Sequence, residues 1–180
     1  WNLWRRKMKL HPDDIIKKIS DGLGERLLES SVKERSDGHL NKVVQKHLYL
    51  KVERDYLHKT VSLLREMSPL HVACPMATKE SEEFLEMVYP FTLFFAEEKF
   101  SEQPVIVSVV LPKNDLRVRT CTDIVPGILI MEREAQEMLG VLVEDIPDKR
   151  RFFTPECLEA GYHPHRKKFE TKAEEATINE

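Results

Sequence analysis

Residues 122–169 read TDIVPGILIMEREAQEMLGVLVEDIPDKRRFFTPECLEAGYHPHRKKF. The first part of this stretch carries a helical period and the rest carries none. Ile128, Met131, Ala135, Met138 and Leu139 recur at steps of three and four, which gathers them on one apolar face. Thr122 or Asp123 can cap such a helix, Pro126 suits its first turn, and Gly140 stands just past the last periodic residue. At roughly 100° per residue, Glu132 and Arg133 are expected to point away from the apolar stripe, with Glu134 at its edge. Arg133 and Glu137 lie one turn apart and can pair.

After Gly140 the period stops. Asp148-Lys149-Arg150-Arg151 alternates charge, and Pro147, Pro155 and Pro164 rule out one continuous helix. Phe152 and Phe153 are adjacent and need cover. Residues 141–169 are therefore expected as an extended arm lying along their own domain or a partner. Hydrogen bonds from Glu132, Arg133 and Glu134 are expected to lock the helix to this arm or to contact a neighbour. Arg150 and Arg151 are the natural partners, because a guanidinium fork grips a carboxylate through two bonds.

Outward from this stretch the pattern becomes that of a sheet. Leu48, Leu50 and Val52 alternate with His47, Tyr49 and Lys51, giving a strand with one apolar face. A strand over Arg26–Arg35 precedes it, with Asp37-Gly38 as a tight turn. Pro12 to Ser20 reads as a short helix broken by Gly22 and Gly24; Asp55 or Glu53 opens another that runs to about Met67. Leu70, Val72 and Cys74 alternate, Met87 to Ala96 is an aromatic run, and Val105 to Leu111 is apolar on both faces, as a central strand would be. Pro90 predicts a bulge or an edge. The connection between the last two strands falls at Glu97-Glu98-Lys99 and Ser101-Glu102. Helix, two strands, helix, three strands, helix describes an α+β domain whose mainly antiparallel sheet carries its helices on one face. The division expected is a basic segment over 1–11, the domain over 12–140, the arm over 141–169, and a disordered acidic tail over 170–180.

Composition narrows the function. Charged residues make up 33% of the 180 and leave a net charge of −3, which argues against nucleic-acid binding, since a phosphate-binding domain carries a basic excess. The share of lysine, glutamate and arginine suits a thermophile. No apolar run approaches the roughly 20 residues that span a bilayer. Trp1, Leu3, Trp4 and four basic residues in the first ten make a frayed basic terminus, or an anchor on a partner or membrane surface. Cys74, Cys121 and Cys157 are scattered, and His163 and His165 near Cys157 lack a fourth ligand, so no metal or iron–sulfur site is expected in this chain. No phosphate-binding loop, dinucleotide fingerprint or zinc-protease motif is present. Glu132 and Glu134 diverge on a helix and cannot serve one substrate as acid and base. The enzyme reading that remains uses Cys121 as a nucleophile with an activating base beside it.

The same stretch resembles a known family. Glu132-Arg133-Glu134, Glu137 before Leu139-Gly140, Pro147-Asp148-x-Arg150-Arg151, Pro155, and Arg166-Lys167-x-Phe169 occur in the order found in the C subunit of NADH:quinone oxidoreductase (respiratory complex I). That subunit is called the thirty-kilodalton subunit in mitochondria and has homologues in membrane-bound nickel–iron hydrogenases and related energy-converting complexes. Upstream, Leu111-Pro112-x-x-Asp115-x-Arg117-Val118 and Thr122-Asp123-Ile124-x-Pro126 match as well. The family's Gly-His-Pro is Asp145-Ile146-Pro147 here, its aspartate is Glu137, its Arg-Lys-Asp-Tyr is Arg166-Lys167-Lys168-Phe169, and an aliphatic residue near Ile130 replaces its tryptophan. These departures lean towards the hydrogenase-type branch.

The resemblance implies a cofactor-free accessory subunit, peripheral on the cytoplasmic side of the cell membrane. It would dock the catalytic large subunit beside a small iron–sulfur subunit, and the membrane arm only indirectly. The 4Fe-4S clusters, and a NiFe centre in the hydrogenase branch, would belong to those partners. The residues expected at the interface are Glu132, Arg133, Glu134, Glu137, Asp148, Arg150, Arg151, His165, Arg166 and Lys167.

Overall fold

The alternation at Leu48, Leu50 and Val52 is a strand, β2 (Val43–Val52), paired antiparallel with β1 (Leu27–Asp37). The structure, a computed structural model, describes residues 10–37, 43–72, 78–95, 102–158 and 161–167. Its main sheet has the order β1-β2-β5-β4-β3, completed by β3 (Thr78–Glu80), β4 (Phe84–Leu93) and β5 (Gln103–Pro112). Within this sheet β2 and β5 pair in parallel, whereas β1–β2, β4–β5 and β3–β4 are antiparallel. The apolar run of β5 is central, as expected. Val105, Val107, Val109 and Leu111 point into the core while the residues between them are half-buried.

The helices α1 (Pro12–Leu23) and α2 (Leu57–Met67) cover one face of the sheet. Ile15, Ile19, Leu57, Val61 and Leu64 join Leu48, Leu50, Leu85, Met87 and Phe91 in a single apolar core. Each large side chain taken out of water there contributes about 1.5–3 kcal/mol. Gly22 does not break α1, contrary to the sequence reading. A Cβ at Gly22 would lie 2.6 Å from Leu63 Cδ1, so the missing side chain lets α1 lie close against α2. The helix ends only at Gly24.

Two strand expectations change. Leu70 and Val72 form no strand; His71 makes one antiparallel bridge to Thr92, and Cys74 lies outside the described residues. Pro90 makes no bulge, because β4 and β5 stay in register from Phe84 to Leu93. Its missing N–H has a physical place all the same. Thr92 donates its N–H outwards to His71 O at 2.8 Å, so Pro90, two residues earlier, also turns its nitrogen away from β5. There it falls between the end of the β3 pairing at Met87 and the bridge at Thr92, where no partner is found among the described residues.

The last helix is α3 (Leu129–Leu139), preceded by a 3-10 turn at Pro126–Ile128 and closed by Gly140 in the left-handed conformation. Neither Thr122 nor Asp123 caps it, because the helix begins several residues later. Beyond it, β7 (Leu142–Glu144) pairs in parallel with β6 (Arg117–Arg119), two strands too short to leave an alternation in the sequence. The chain leaves regular structure only after Glu144, at Asp145, whose φ of 60° lies in the left-handed region. The family's glycine at this position suits that conformation, and aspartate is among the few other residues that tolerate it. The turn after Asp37, the connection at Glu97–Lys99, most of the basic N-terminal segment and the acidic tail fall outside the described residues.

Candidate partner-docking site

Helix α3 is enclosed on two sides, and this overturns the expected orientation of its charges. Glu132 is 0% exposed and Arg133 6%. Both were expected to face away from the apolar stripe, but the body of the domain covers one side of α3 and the arm covers another. Glu132 turns towards the body. Its two oxygens accept the Thr120 hydroxyl and, at 2.9 Å, the Cys121 N–H, while Thr120 also accepts the Thr122 N–H. Burial raises the Glu132 carboxyl above the ordinary glutamate value, although these two hydrogen bonds pull the other way. A buried carboxylate satisfied at both oxygens fixes α3 against the 120–122 segment.

Arg133 and Glu137 turn towards the arm. Arg133 donates to Asp148 Oδ2 at 3.2 Å and to Arg150 O at 2.7 Å, and its guanidinium lies 4.9 Å from the centre of the Phe152 ring. The expected Arg133–Glu137 pair is replaced, because Glu137 is used elsewhere. Its carboxylate accepts the successive N–H groups of Phe152, Phe153 and Thr154, and the Thr154 hydroxyl at 2.9 Å. Burial works to raise this carboxyl, but the backbone donors outweigh it and hold it below the ordinary value.

The arm then closes the end of the helix. His163 Nδ1 lies 2.9 Å from Glu137 O, His165 N–H donates to Met138 O at 3.0 Å, and Arg166 Nη1 donates to Leu139 O at 3.1 Å. These carbonyls belong to the last turn of α3, which has no later turn of its own to satisfy them. Gly140 is needed at this point, because a Cβ there would lie 2.6 Å from the His163 ring. Past the helix end the arm is clipped by Glu80 of β3, whose side chain is 3% exposed. Glu80 receives Arg166 Nε and the Lys167 N–H, both at 2.8 Å, together with Lys113 Nζ.

The ten expected interface residues thus divide by direction. Glu132 is consumed inside the body. Arg133, Glu137, Asp148 and Arg166 hold the arm, and Lys167 and His165 join it through their backbone. Glu134 is half-buried on α3. Arg150 is exposed and bonds Asp148 at 2.8 and 2.9 Å. Arg151 is exposed and donates to Leu158 O at 3.1 Å. The arginines therefore grip Asp148 and a carbonyl instead of the glutamates of α3. The Arg150 side chain, with help from the Arg150 N–H and the charge of Arg133, holds the Asp148 carboxyl well below the usual aspartate range.

Glu80 was missed by sequence reasoning. It sits in Lys79-Glu80-Ser81-Glu82-Glu83, where nothing separates one buried carboxylate from its solvated neighbours.

The structure counts against Cys121 as a nucleophile. Its thiol is fully buried, and burial together with the negative charge of Glu132 raises its pKa, which disfavours the nucleophilic thiolate. His58, a possible base in this region, is engaged with Asp123, its Nε2 lying 2.8 and 3.0 Å from the two carboxylate oxygens. Among the described residues no three metal-ligating side chains cluster, and no helix is long and apolar enough to cross a membrane.

The body thus fixes one helix, and that helix fixes an irregular arm along it. The chain belongs to the family of the respiratory-chain NADH dehydrogenase 30 kDa subunit, whose pattern matches residues 50–175. It is 28% identical over 127 residues to the membrane-bound hydrogenase subunit beta of Pyrococcus furiosus, covering 70% of this chain and 72% of that one. It is 40% identical over 63 residues to NADH-quinone oxidoreductase subunit 5 of Thermus thermophilus, covering 35% of this chain and 30% of that one. The thermophile composition fits both relatives. The fold matches a chain of the membrane-bound sulfane sulfur reductase, an archaeal respiratory membrane complex, with a TM-score of 0.60, 20% identity, and 90% and 87% of the two chains covered. It also matches a trypsin-resistant fragment of Nqo5, with a TM-score of 0.54, 17% identity and coverage of 78% and 99%.

Proposed function

We propose that this chain is an accessory subunit of a membrane-bound, complex I-related oxidoreductase, peripheral on the cytoplasmic side, that docks the catalytic large subunit and lies near the small iron–sulfur subunit. The complex is an energy-converting nickel–iron hydrogenase or a sulfur-reducing relative. Electrons and protons pass through the partners, which carry the iron–sulfur clusters; this chain contributes position. The observation that carries the reading is the treatment of the arm. The described residues of the arm, 148–158 and 161–167, form no helix or strand, yet they are tied at Arg133, at Glu137, at three carbonyls ending α3, and at Glu80. An irregular segment held this firmly presents a defined surface at little further ordering cost on assembly. The match spanning 72% of a hydrogenase subunit supports the hydrogenase branch. The shorter but higher-identity match to a quinone-linked subunit supports a second reading, the C subunit of a NADH:quinone oxidoreductase.

The test is an affinity pull-down of the full chain from gently solubilised native membranes, with metal analysis of what accompanies it. A large subunit with nickel and iron is the expected result. Iron without nickel moves the assignment to the quinone- or sulfur-reducing relatives. A chain recovered alone from the soluble fraction removes the reading.

A further inference from the structure

The sequence points to a charged interface. Most of those charges are spent inside the chain, and what they hold outwards is apolar. Phe152 is 61% exposed, Phe153 38% and Ile130 44%. The two phenylalanine rings meet edge to face, with centroids 5.0 Å apart. Ile130, Arg133 and Glu137 stand at positions i, i+3 and i+7, so they share one face of α3. Arg133 lies under the Phe152 ring and Glu137 binds the backbone of both phenylalanines, so Ile130 prolongs the aromatic pair along that face. Two large aromatic rings exposed on a backbone clamped by three consecutive N–H bonds are not a frayed loop. The chain holds them in place.

The surroundings of this patch specify what it fits. Asp148 is shared between the guanidiniums of Arg133 and Arg150, so one negative charge faces two positive ones. Lys149, exposed between them, adds another positive charge. Arg150 and Arg151 are exposed beside the rings as well, against one exposed acid, Glu156, in residues 149–156, so the apolar centre has a mainly basic border. We propose that Phe152 and Phe153, continued by Ile130, are the anchor of the docking surface, and that they fill an apolar slot on the partner subunit rimmed by aspartate or glutamate. This rests on the reading of the chain as a docked subunit and names the partner's chemistry. Aromatic anchors in such slots carry most of an interface's energy, while charges at its border tune the approach.

The test uses the full chain, tagged and expressed in its native host, with recovery of the large subunit measured after membrane solubilisation. F152S/F153S is expected to reduce that recovery by about tenfold or more, without changing the melting temperature of the isolated chain. F152L/F153L is expected to keep most of it. Lys149→Glu should weaken recovery less, with a deficit that shrinks as salt is raised. Wild-type recovery with F152S/F153S overturns the inference while leaving the proposed function standing. If the unaltered chain recovers no large subunit, the proposed function itself fails. Self-association of the isolated chain that F152S/F153S abolishes would show a second copy as the occupant, and would equally overturn the inference.

Discussion

The sheet body and the C-terminal arm belong to one chain but are held by different physics. In the body, Leu48, Leu50, Val107 and Leu64 are stable where they are because water has been excluded from them. That force has no direction and grows with area. Val141, Val143 and Ile146 at the start of the arm still join the core, but from Pro147 onward the arm has almost no such area. Its residues are held one at a time by directed bonds to Arg133, Glu137, Glu80 and the last carbonyls of α3. Area makes the body tolerant of chemical detail, whereas the arm depends on single atoms. The contrast predicts that damage to the body is global and damage to the arm is local.

The largest effect is expected from Leu50→Ala. Leu50 is 1% exposed in the sheet's core face, and large-to-small changes at such sites cost about 2–5 kcal/mol. Thermal or urea unfolding should shift as one transition, with body and arm melting together. An arm that melted separately in this variant would mean that it has stability of its own.

Next in size is Glu137→Ala. The carboxylate accepts from three backbone N–H groups and one hydroxyl, and its loss leaves those donors without their partner. A cost of roughly 1–3 kcal/mol is expected, confined to the opening of the arm. Amide hydrogen exchange is the measurement: Phe152, Phe153 and Thr154 should lose protection while the β4 and β5 amides keep theirs. Equal loss in both places would erase the distinction between the regions.

How far each region can be read from the sequence follows from the same contrast. Burial by area leaves a period, so the sheet around Leu48, Leu50 and Val52, the central β5 and the stripe of α3 are all legible. The three-residue strands β3, β6 and β7 are not, because a period of two needs more residues to show itself. Directed bonds leave no period. Glu132, Arg133 and Glu137 are visible as notable charges, but the direction each takes depends on which segments pack around α3. Periodicity turns Glu132 and Arg133 to solvent because it cannot foresee an arm covering a second side of the helix. Glu80 is the extreme case, a buried carboxylate in a run of acidic residues that otherwise lies in water.

Acid should separate the regions further. The Glu137 and Glu80 carboxyls lie below the ordinary glutamate value. For each, burial opposes the shift, and the hydrogen bonds of the arm (for Glu80, first that of Lys113) outweigh it. A depressed carboxyl contributes stability that is complete above its unfolded pKa and is lost as pH falls through its folded pKa. Glu132, raised by burial, has the opposite sign: its cost to the fold appears as pH rises past the unfolded value. Below about pH 4 the arm should therefore loosen first. The amide shifts of Phe152–Thr154 should titrate there while those of β5 stay fixed. Titration of both at the same pH would contradict the separation.

The smallest effect is expected from a charge pair that no packing encloses. Arg26 and Glu53 bridge the start of β1 to the end of β2, with nitrogen–oxygen distances of 2.9 and 3.0 Å. This geometry is as close as that of Arg133 with Asp148, but the side chains are 51% and 36% exposed, whereas Arg133's is 8% exposed. Water and salt screen the first pair, and the adjoining strands are already fixed by their ladder. Arg26→Ala should leave the melting temperature within experimental error. Arg133→Ala should uncover the Phe152 ring, release Arg150 O, and raise exchange in the arm. A clear loss of stability in Arg26→Ala would mean that bond geometry decides what a charge contributes here, and that enclosure by α3 and the arm is not what makes Arg133 matter.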